Sequence, residues 1–192
     1  MESNILTVTF KTHLLNFWDV SRGFTVNGNV FMLLRIYLGA FYIMTGTNKV
    51  FKGDLGLGYM DDLVHFVTGV VLRAKPGGEV AVPGFEAAAP DFYVLFLESV
   101  VLPNPEIFTY LVAWGETLLG FALLFGVSVR LAGFMGAFMA GNYLLASGRG
   151  LFLPSFDALL AYSLLTLALA RAGRTFGIDT MLAKWKPKSW FW

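Results

Sequence analysis

The chain has 192 residues, of which 56% are hydrophobic and 14% are charged, and its formal net charge is +1. This composition is too apolar for a soluble domain of that length, so it predicts an integral membrane protein. The balanced charge offers no basic field for nucleic acid, and nucleic-acid binding is excluded.

The composition also limits the redox and metal chemistry. Because the chain has no cysteine, it has no disulfides, thiol catalysis, cysteine-ligated iron–sulfur cluster or thiolate zinc site. Its two histidines, His13 and His65, lie outside the long apolar runs, so a bis-histidine haem within the membrane is not expected. With no flavin, haem or metal motif, electrons would have to travel on a bound organic molecule or a partner subunit.

Residues 1–29 show neither a continuous apolar stretch nor a small-residue cleavage site, so we do not expect a cleaved signal peptide. Their mixture of apolar and aromatic residues with single polar ones is typical of an interfacial segment. A disordered tail is the alternative.

Four apolar runs predict membrane-spanning helices at residues 30–47, 107–126, 129–147 and 152–170. Each is close to the length of about 20 residues that crosses the hydrocarbon core. Short polar breaks separate the last three, which makes consecutive helices antiparallel neighbours. The predicted fold is therefore all-α, a single membrane domain built as a four-helix bundle.

The long segment between the first two predicted spans, residues 48–105, is expected to be an outward loop. A structureless loop of this length is uncommon. We expect two of its stretches, "YMDDLVHFVTGVVL" and "FYVLFLESVVL", to lie on the outer leaflet or to cap the bundle as interfacial helices. The intervening "KPGGEVAVPG" predicts a turn or hairpin.

The distribution of lysine and arginine predicts the orientation. Basic residues are more frequent on the side that carries both termini, so both termini are expected in the cytoplasm, with the chain in a prokaryotic plasma membrane. Residues 171–192 would then form a cytoplasmic tail. Its last part, "KWKPKSWFW", is typical of a basic and aromatic membrane anchor, and a frayed end is the alternative.

Glu116 lies within the second predicted span. A charged side chain at the centre of a membrane helix costs about 2.5–3.5 kcal/mol on insertion scales, and such residues usually face the protein interior. On a helix, Glu116 shares a stripe with the small residues Ala113 and Gly120. Small residues mark the places where membrane helices approach each other. We therefore expect Glu116 to point at a neighbouring helix.

Other charged residues recur at helical spacing in the predicted spans. Arg35 and Lys49 share a face of the first span, and Asp157 lies in the fourth. We predict two charge pairs inside the bundle, Arg35 with Glu116 and Lys49 with Asp157. Two interpretations remain open: the pairs only fix helix register, or a cavity between them receives a polar head group. In the second case Tyr42, Asn142 and Tyr143 would supply hydrogen bonds.

Four passages resemble the DoxX/DoxD family, which includes the small membrane subunit of thiosulfate:quinone oxidoreductase. They are the glycine-rich third span and three stretches quoted as they stand: "LRIYLGAFYIMTGTNKV", "WGETLLGFALLFGVSVR" and "AGRTFGIDTML". The resemblance implies a four-helix membrane bundle. For the DoxD branch it also implies electron delivery from a sulfur compound to quinone together with a second small subunit. By motif position the likeness falls on Arg35, Lys49, Glu116, Arg130 and Asp179.

The resemblance gives the charged residues possible roles. Reduction of a quinone adds negative charge and then protons, so Arg35 would stabilise the charge while Glu116 relays protons. The remaining candidates would bind the quinone: Tyr42, Lys49, Asn142, Tyr143 and Asp157. No metal ligand is predicted.

The sequence supports three alternative functions. The first is a DoxX-like membrane subunit in quinone-linked redox, acting with partner subunits. The alternative is a non-catalytic structural or assembly subunit of a larger membrane complex. A proton-coupled transporter is suggested by the intramembrane ionisable residues, but four helices without an evident inverted repeat make it less attractive.

Overall fold

The computed structural model describes residues 28–75, 88–148, 154–186 and 189, and every regular element within these ranges is helical. The predicted all-α class is confirmed. The α-helices of the described ranges are α1 (Gly28–Val50), α2 (Met60–Ala74), α3 (Asp91–Phe96), α4 (Pro105–Phe125), α5 (Val129–Ala146), α6 (Phe156–Leu169) and α7 (Asp179–Trp185). Three short helical turns precede α2, extend α3 and precede α7: Asp54–Tyr59, Leu97–Val101 and Ala172–Arg174.

Four of these helices, α1, α4, α5 and α6, pack around a common apolar core. Helix α1 pairs closely with α4, and α5 pairs with α6. The buried core residues come from all four helices: Leu38, Tyr42, Leu119, Leu123, Val129, Ala132, Leu164 and Leu167. Outward-facing leucine and phenylalanine side chains remain exposed, as expected where lipid tails replace water.

The helices long and apolar enough to cross a membrane are Asn29–Val50, Leu55–Ala74, Pro105–Phe125 and Val129–Ala146. Three of them match predicted spans, whereas Leu55–Ala74 falls in the segment that the sequence assigned to an outward loop. Helix α6 matches the fourth predicted span with 14 residues. The first residues of that span, 152 and 153, lie outside the described ranges.

Helices α2 and α3, with the turn Leu97–Val101, form a second apolar cluster that we call the cap. The buried face of α2 contacts α3, Phe108 near the start of α4 and Ala146 at the end of α5. These contacts lie near the start of α4 and the end of α5, at one end of the bundle. That the segment caps the bundle or lies on the outer leaflet stays a prediction. The side of the membrane that the cap faces stays a prediction. The predicted N-terminal segment and hairpin fall almost wholly on residues 1–27 and 76–87, outside the described residues. Of the predicted terminal anchor, residues 184–186 and 189 are described and the rest are not.

Glycine sets the distance and register between α1 and α4. A Cβ added to Gly39 would lie 2.7 Å from the backbone nitrogen of Leu124, and one added to Gly46 would overlap the backbone of Thr117. Gly120 is equally close to the backbone of Ile43. The two antiparallel helices therefore approach backbone to backbone, which is the contact that small residues permit in membranes.

We predict that Gly39→Ala lowers the free energy of unfolding by about 1–3 kcal/mol, because the added methyl group has to push backbone apart. Thermal unfolding in detergent measures the change. Gly141→Ala is the matched control, since a Cβ at Gly141 meets nothing within 4 Å. Equal effects of the two substitutions would contradict the close approach of α1 and α4.

Candidate functional site

A buried ion pair joins the last turn of α1 to the middle of α4. Lys49 Nζ lies 2.6 Å from each carboxylate oxygen of Glu116. The Glu116 side chain is 4% exposed and that of Lys49 is 20% exposed. Glu116 thus points into the protein, as predicted, and the lysine reaches it from a less enclosed position. Removing one partner of a buried pair leaves an uncompensated charge and costs about 3–5 kcal/mol.

Two tyrosines surround this ion pair. The hydroxyl of Tyr143 donates to Glu116 Oε1 at 3.2 Å. The ammonium of Lys49 lies 5.2 Å from the ring centre of Tyr59 and 5.9 Å from that of Tyr143, within the range of cation–π attraction. We call these four residues the charged cluster. Helices α1, α4 and α5 and the turn before α2 supply it, so it forms only when the bundle and that turn are both in place.

An apolar groove of about 690 Å³ runs between α4 and α5 and continues under the cap. Phe66, Phe108 and Tyr143 line its cap end, and Ala122 and Leu131 line the other. Its walls are almost wholly apolar, and the amide of Asn142, which also lines it, is hydrogen-bonded to the carbonyl of Phe138 at 2.8 Å. The side chain of Tyr143 therefore belongs to both the groove and the charged cluster.

One of the two interpretations that the sequence left open was a cavity between the charge pairs. Helices α1 and α4, which carry Lys49 and Glu116, instead approach backbone to backbone at their glycines. The opening lies one helix further on, between α4 and α5, because those two helices make far looser contact.

The predicted pairing of Arg35 with Glu116 is wrong. The guanidinium of Arg35 lies against Gly126, ten residues beyond Glu116, which is about 15 Å along the axis of α4. There it donates to the carbonyl oxygens of Ala172 at 3.3 Å and Phe176 at 3.2 Å. The register of α1 on α4 brings Lys49, and not Arg35, to the level of Glu116.

The predicted pairing of Lys49 with Asp157 is wrong for the same reason, since the ion-pair partner of Lys49 is Glu116. Asp157 lies in the first turn of α6 and is half-buried. Tyr42 is buried in the core of the bundle. Tyr143 is the predicted site residue that contacts the ion pair.

Asp179 forms a second buried polar site at the opposite end of the bundle. Its carboxylate accepts hydrogen bonds from the backbone nitrogens of Ser128 at 2.6 Å and Val129 at 2.9 Å. It therefore caps the start of α5 from a distant part of the chain. Burial raises the pKa of the Asp179 carboxyl, although these hydrogen bonds and the positive charge of Arg35 act in the opposite direction.

Sequence reasoning missed Tyr59. It lies in the segment assigned to an outward loop, and no spacing rule relates it to the spans. Asp179 was singled out only through the family resemblance, and its capping role has no local sequence signal, because Ser128 and Val129 are far away in the sequence. Among the described residues, no three histidine, cysteine, aspartate or glutamate side chains come together to hold a metal ion.

The described part of the chain is thus a helical membrane bundle with a buried lysine–glutamate pair beside an apolar groove. The family model DoxX matches residues 30–147, which is more than half of the chain. The protein belongs to the DoxX family. Comparison with curated proteins found no match. Comparison with solved structures also found none.

We predict that Asp179→Ala lowers the free energy of unfolding by about 2 kcal/mol, because two backbone N–H groups at the start of α5 lose a charged acceptor. Chemical or thermal unfolding in detergent reports the change. The control is Asp61→Ala, which removes an exposed carboxylate in the first turn of α2. A loss no larger than in the control would contradict the capping role.

Proposed function

We propose that this DoxX-family protein is a quinone-binding membrane subunit that works with partner subunits in a redox complex. One observation carries the proposal: the hydroxyl of Tyr143 contacts Glu116, while its side chain lines the apolar groove. A groove of this volume and lining fits an isoprenoid chain, which enters from the lipid between α4 and α5. The polar head would then lie at the cap end.

The residues of the charged cluster suit the chemistry of a quinone. A quinone in the groove would supply two-electron redox chemistry with uptake of protons. A hydroxyl has one proton to donate, so with a quinone bound the Tyr143 hydroxyl would turn from Glu116 to a quinone carbonyl oxygen. The Lys49 ammonium would stabilise negative charge that develops there. Glu116 holds or passes a proton through Tyr143. The walls of the groove keep water away, which strengthens each of these interactions.

The proposal gives different roles to the predicted residues. Lys49 takes the charge-stabilising role that the sequence analysis gave to Arg35, which lies at the other end of α4. Asn142 and Tyr143 line the groove, whereas Tyr42 on α1 and Asp157 on α6 are not among its lining residues. Because the chain has no cysteine, the electron donor would be held by a partner subunit.

The orientation is part of the proposal. We place the chain in a prokaryotic plasma membrane with both termini in the cytoplasm, on the basis of the lysine and arginine distribution. The cap then faces outward, where a partner subunit carrying the electron donor docks. This arrangement leaves the groove open to membrane quinone from the side.

We predict that Tyr143→Phe weakens binding of decylubiquinone about five- to tenfold, because the variant loses one hydrogen bond without losing packing. Equilibrium binding to the purified full chain in detergent measures the effect. Tyr110→Phe is the matched control, since Tyr110 is on α4 and outside the groove. Unchanged affinity in Tyr143→Phe would contradict this binding mode.

A second prediction tests the groove itself. Gly115 lines the groove, and a Cβ there meets only the end of the Met139 side chain at 3.6 Å. Gly115→Leu should fill the groove and weaken binding of the quinone more than tenfold by steric exclusion. Gly141→Leu is the control, because Gly141 faces open space.

The competing function is a non-catalytic assembly subunit. It is favoured by the apolar side chains that the cap and the turn before it leave exposed, among them Leu55, Leu72, Phe92 and Leu95. If decylubiquinone fails to bind, or if both groove variants bind it as the natural sequence does, the quinone proposal fails and the assembly role takes its place.

A further inference from the structure

Residues 171–186, which we call the basic segment, lie across the end of the bundle opposite the cap. The backbone nitrogens of Ile178 and Asp179 donate to the carbonyl oxygens of Phe125 at 3.2 Å and Gly126 at 2.9 Å. Arg35 holds the same segment by its bonds to the Ala172 and Phe176 carbonyls. The segment is thus fixed on the ends of α4 and α5 and presents a defined outer surface.

The charge on that surface has one sign. The exposed ionisable side chains of the basic segment are Arg171, Arg174, Lys184 and Lys186. The one carboxylate in the segment, Asp179, is 1% exposed and turned inward to the start of α5. The other aspartate and glutamate residues of the described ranges belong to the cap, the turn before it, the first turn or the middle of α4, or the first turn of α6: Asp54, Asp61, Asp62, Asp91, Glu98, Glu106, Glu116 and Asp157.

The cap end carries exposed charges of both signs. Lys52 pairs with Asp62, and Lys75 pairs with Glu98 at 2.8 Å. Both lysines are therefore exposed cations with an acidic neighbour. Among the described residues, the exposed charges of the basic segment are all positive, whereas those of the cap end are mixed. This difference does not depend on the proposed quinone function.

Large apolar side chains of the basic segment lie exposed between its cationic side chains. Phe176 is 80% exposed, Met181 is 72% exposed and Trp185 is 79% exposed. On α7, Met181 and Trp185 are one turn apart and share a face, and Lys184 lies beside them. Lys186 is 5.7 Å from the ring centre of Trp185. Exposed aromatic and apolar residues next to lysine are typical of a surface at the level of lipid headgroups.

We propose that the basic segment is a binding surface for anionic phospholipid headgroups. Its cations meet the phosphate groups of the leaflet, while Phe176, Met181 and Trp185 enter the boundary between headgroups and acyl chains. Arg35 and Asp179 act as positioning residues that hold this surface against the bundle. Anionic lipid, and not a soluble acidic partner, fits the combination of positive charge with exposed apolar side chains at the end of membrane helices.

The full chain is purified in detergent that contains equimolar phosphatidylglycerol and phosphatidylcholine, and the amounts of the two lipids that stay bound are compared. Native mass spectrometry gives the ratio of the two lipids bound. We expect the natural sequence to favour phosphatidylglycerol, and the double variant R171Q/K184Q to reduce that preference about tenfold through the loss of two surface cations. Raising the salt concentration should also reduce it.

The matched control is K52Q/K75Q, which removes the same charge from the cap end. It should leave the lipid preference unchanged, because both lysines are neutralised by carboxylates. A second pair, R174Q/K186Q, repeats the test if R171Q/K184Q fails to fold as judged by size-exclusion chromatography. The proposal is overturned if the natural sequence shows no preference for phosphatidylglycerol. It is also overturned if the cap and basic-segment variants lose that preference equally, or if both basic-segment variants keep it in full.

Discussion

The backbone contact between α1 and α4 determines where every charged group of the bundle lies. Gly39, Gly46 and Gly120 let the two helices approach without intervening side chains, and their positions fix a single register. That register brings Lys49 to Glu116 and leaves Arg35 beyond the last turn of α4. A slip by one turn would separate the ion pair and bury two unpaired charges, so packing and electrostatics select the same alignment.

The two ends of the bundle use buried charge differently. At the level of the cap, Lys49 and Glu116 lie beside an open groove, and a tyrosine links them to it. At the opposite end, Arg35 and Asp179 are each 1% exposed and are occupied by backbone carbonyl and amide groups. The Lys49–Glu116 pair therefore lies next to space for a ligand. The hydrogen bonds of Arg35 and Asp179 instead hold distant segments of the chain together.

The sequence predicted the helical class and three of the spans, because long apolar runs in a membrane allow hardly any other backbone structure. It also predicted that Glu116 faces inward, since the small residues on its stripe mark a helix contact. It misassigned both charge pairs. Spacing along one helix shows which residues share a face, but the offset between two helices depends on which glycine meets which backbone, and spacing along one helix does not show that offset. Tyr59 was missed because it begins a stretch predicted as an interfacial helix, and nothing in that spacing indicates that the turn before the helix contacts the ion pair.

The contacts of Asp179 complete one end of the bundle, and they come from a segment that is synthesised after the bundle helices. The amides that it caps belong to residues 50 and 51 positions earlier in the chain, and Arg35 reaches Phe176 across 141 positions. Helices α1 to α6 are therefore made before the groups that close this end of the bundle exist. Until residues 172–179 have been made, the start of α5 lacks the Asp179 carboxylate and Arg35 lacks the carbonyl oxygens of Ala172 and Phe176. The inserted helices therefore complete their packing only after this segment has been translated.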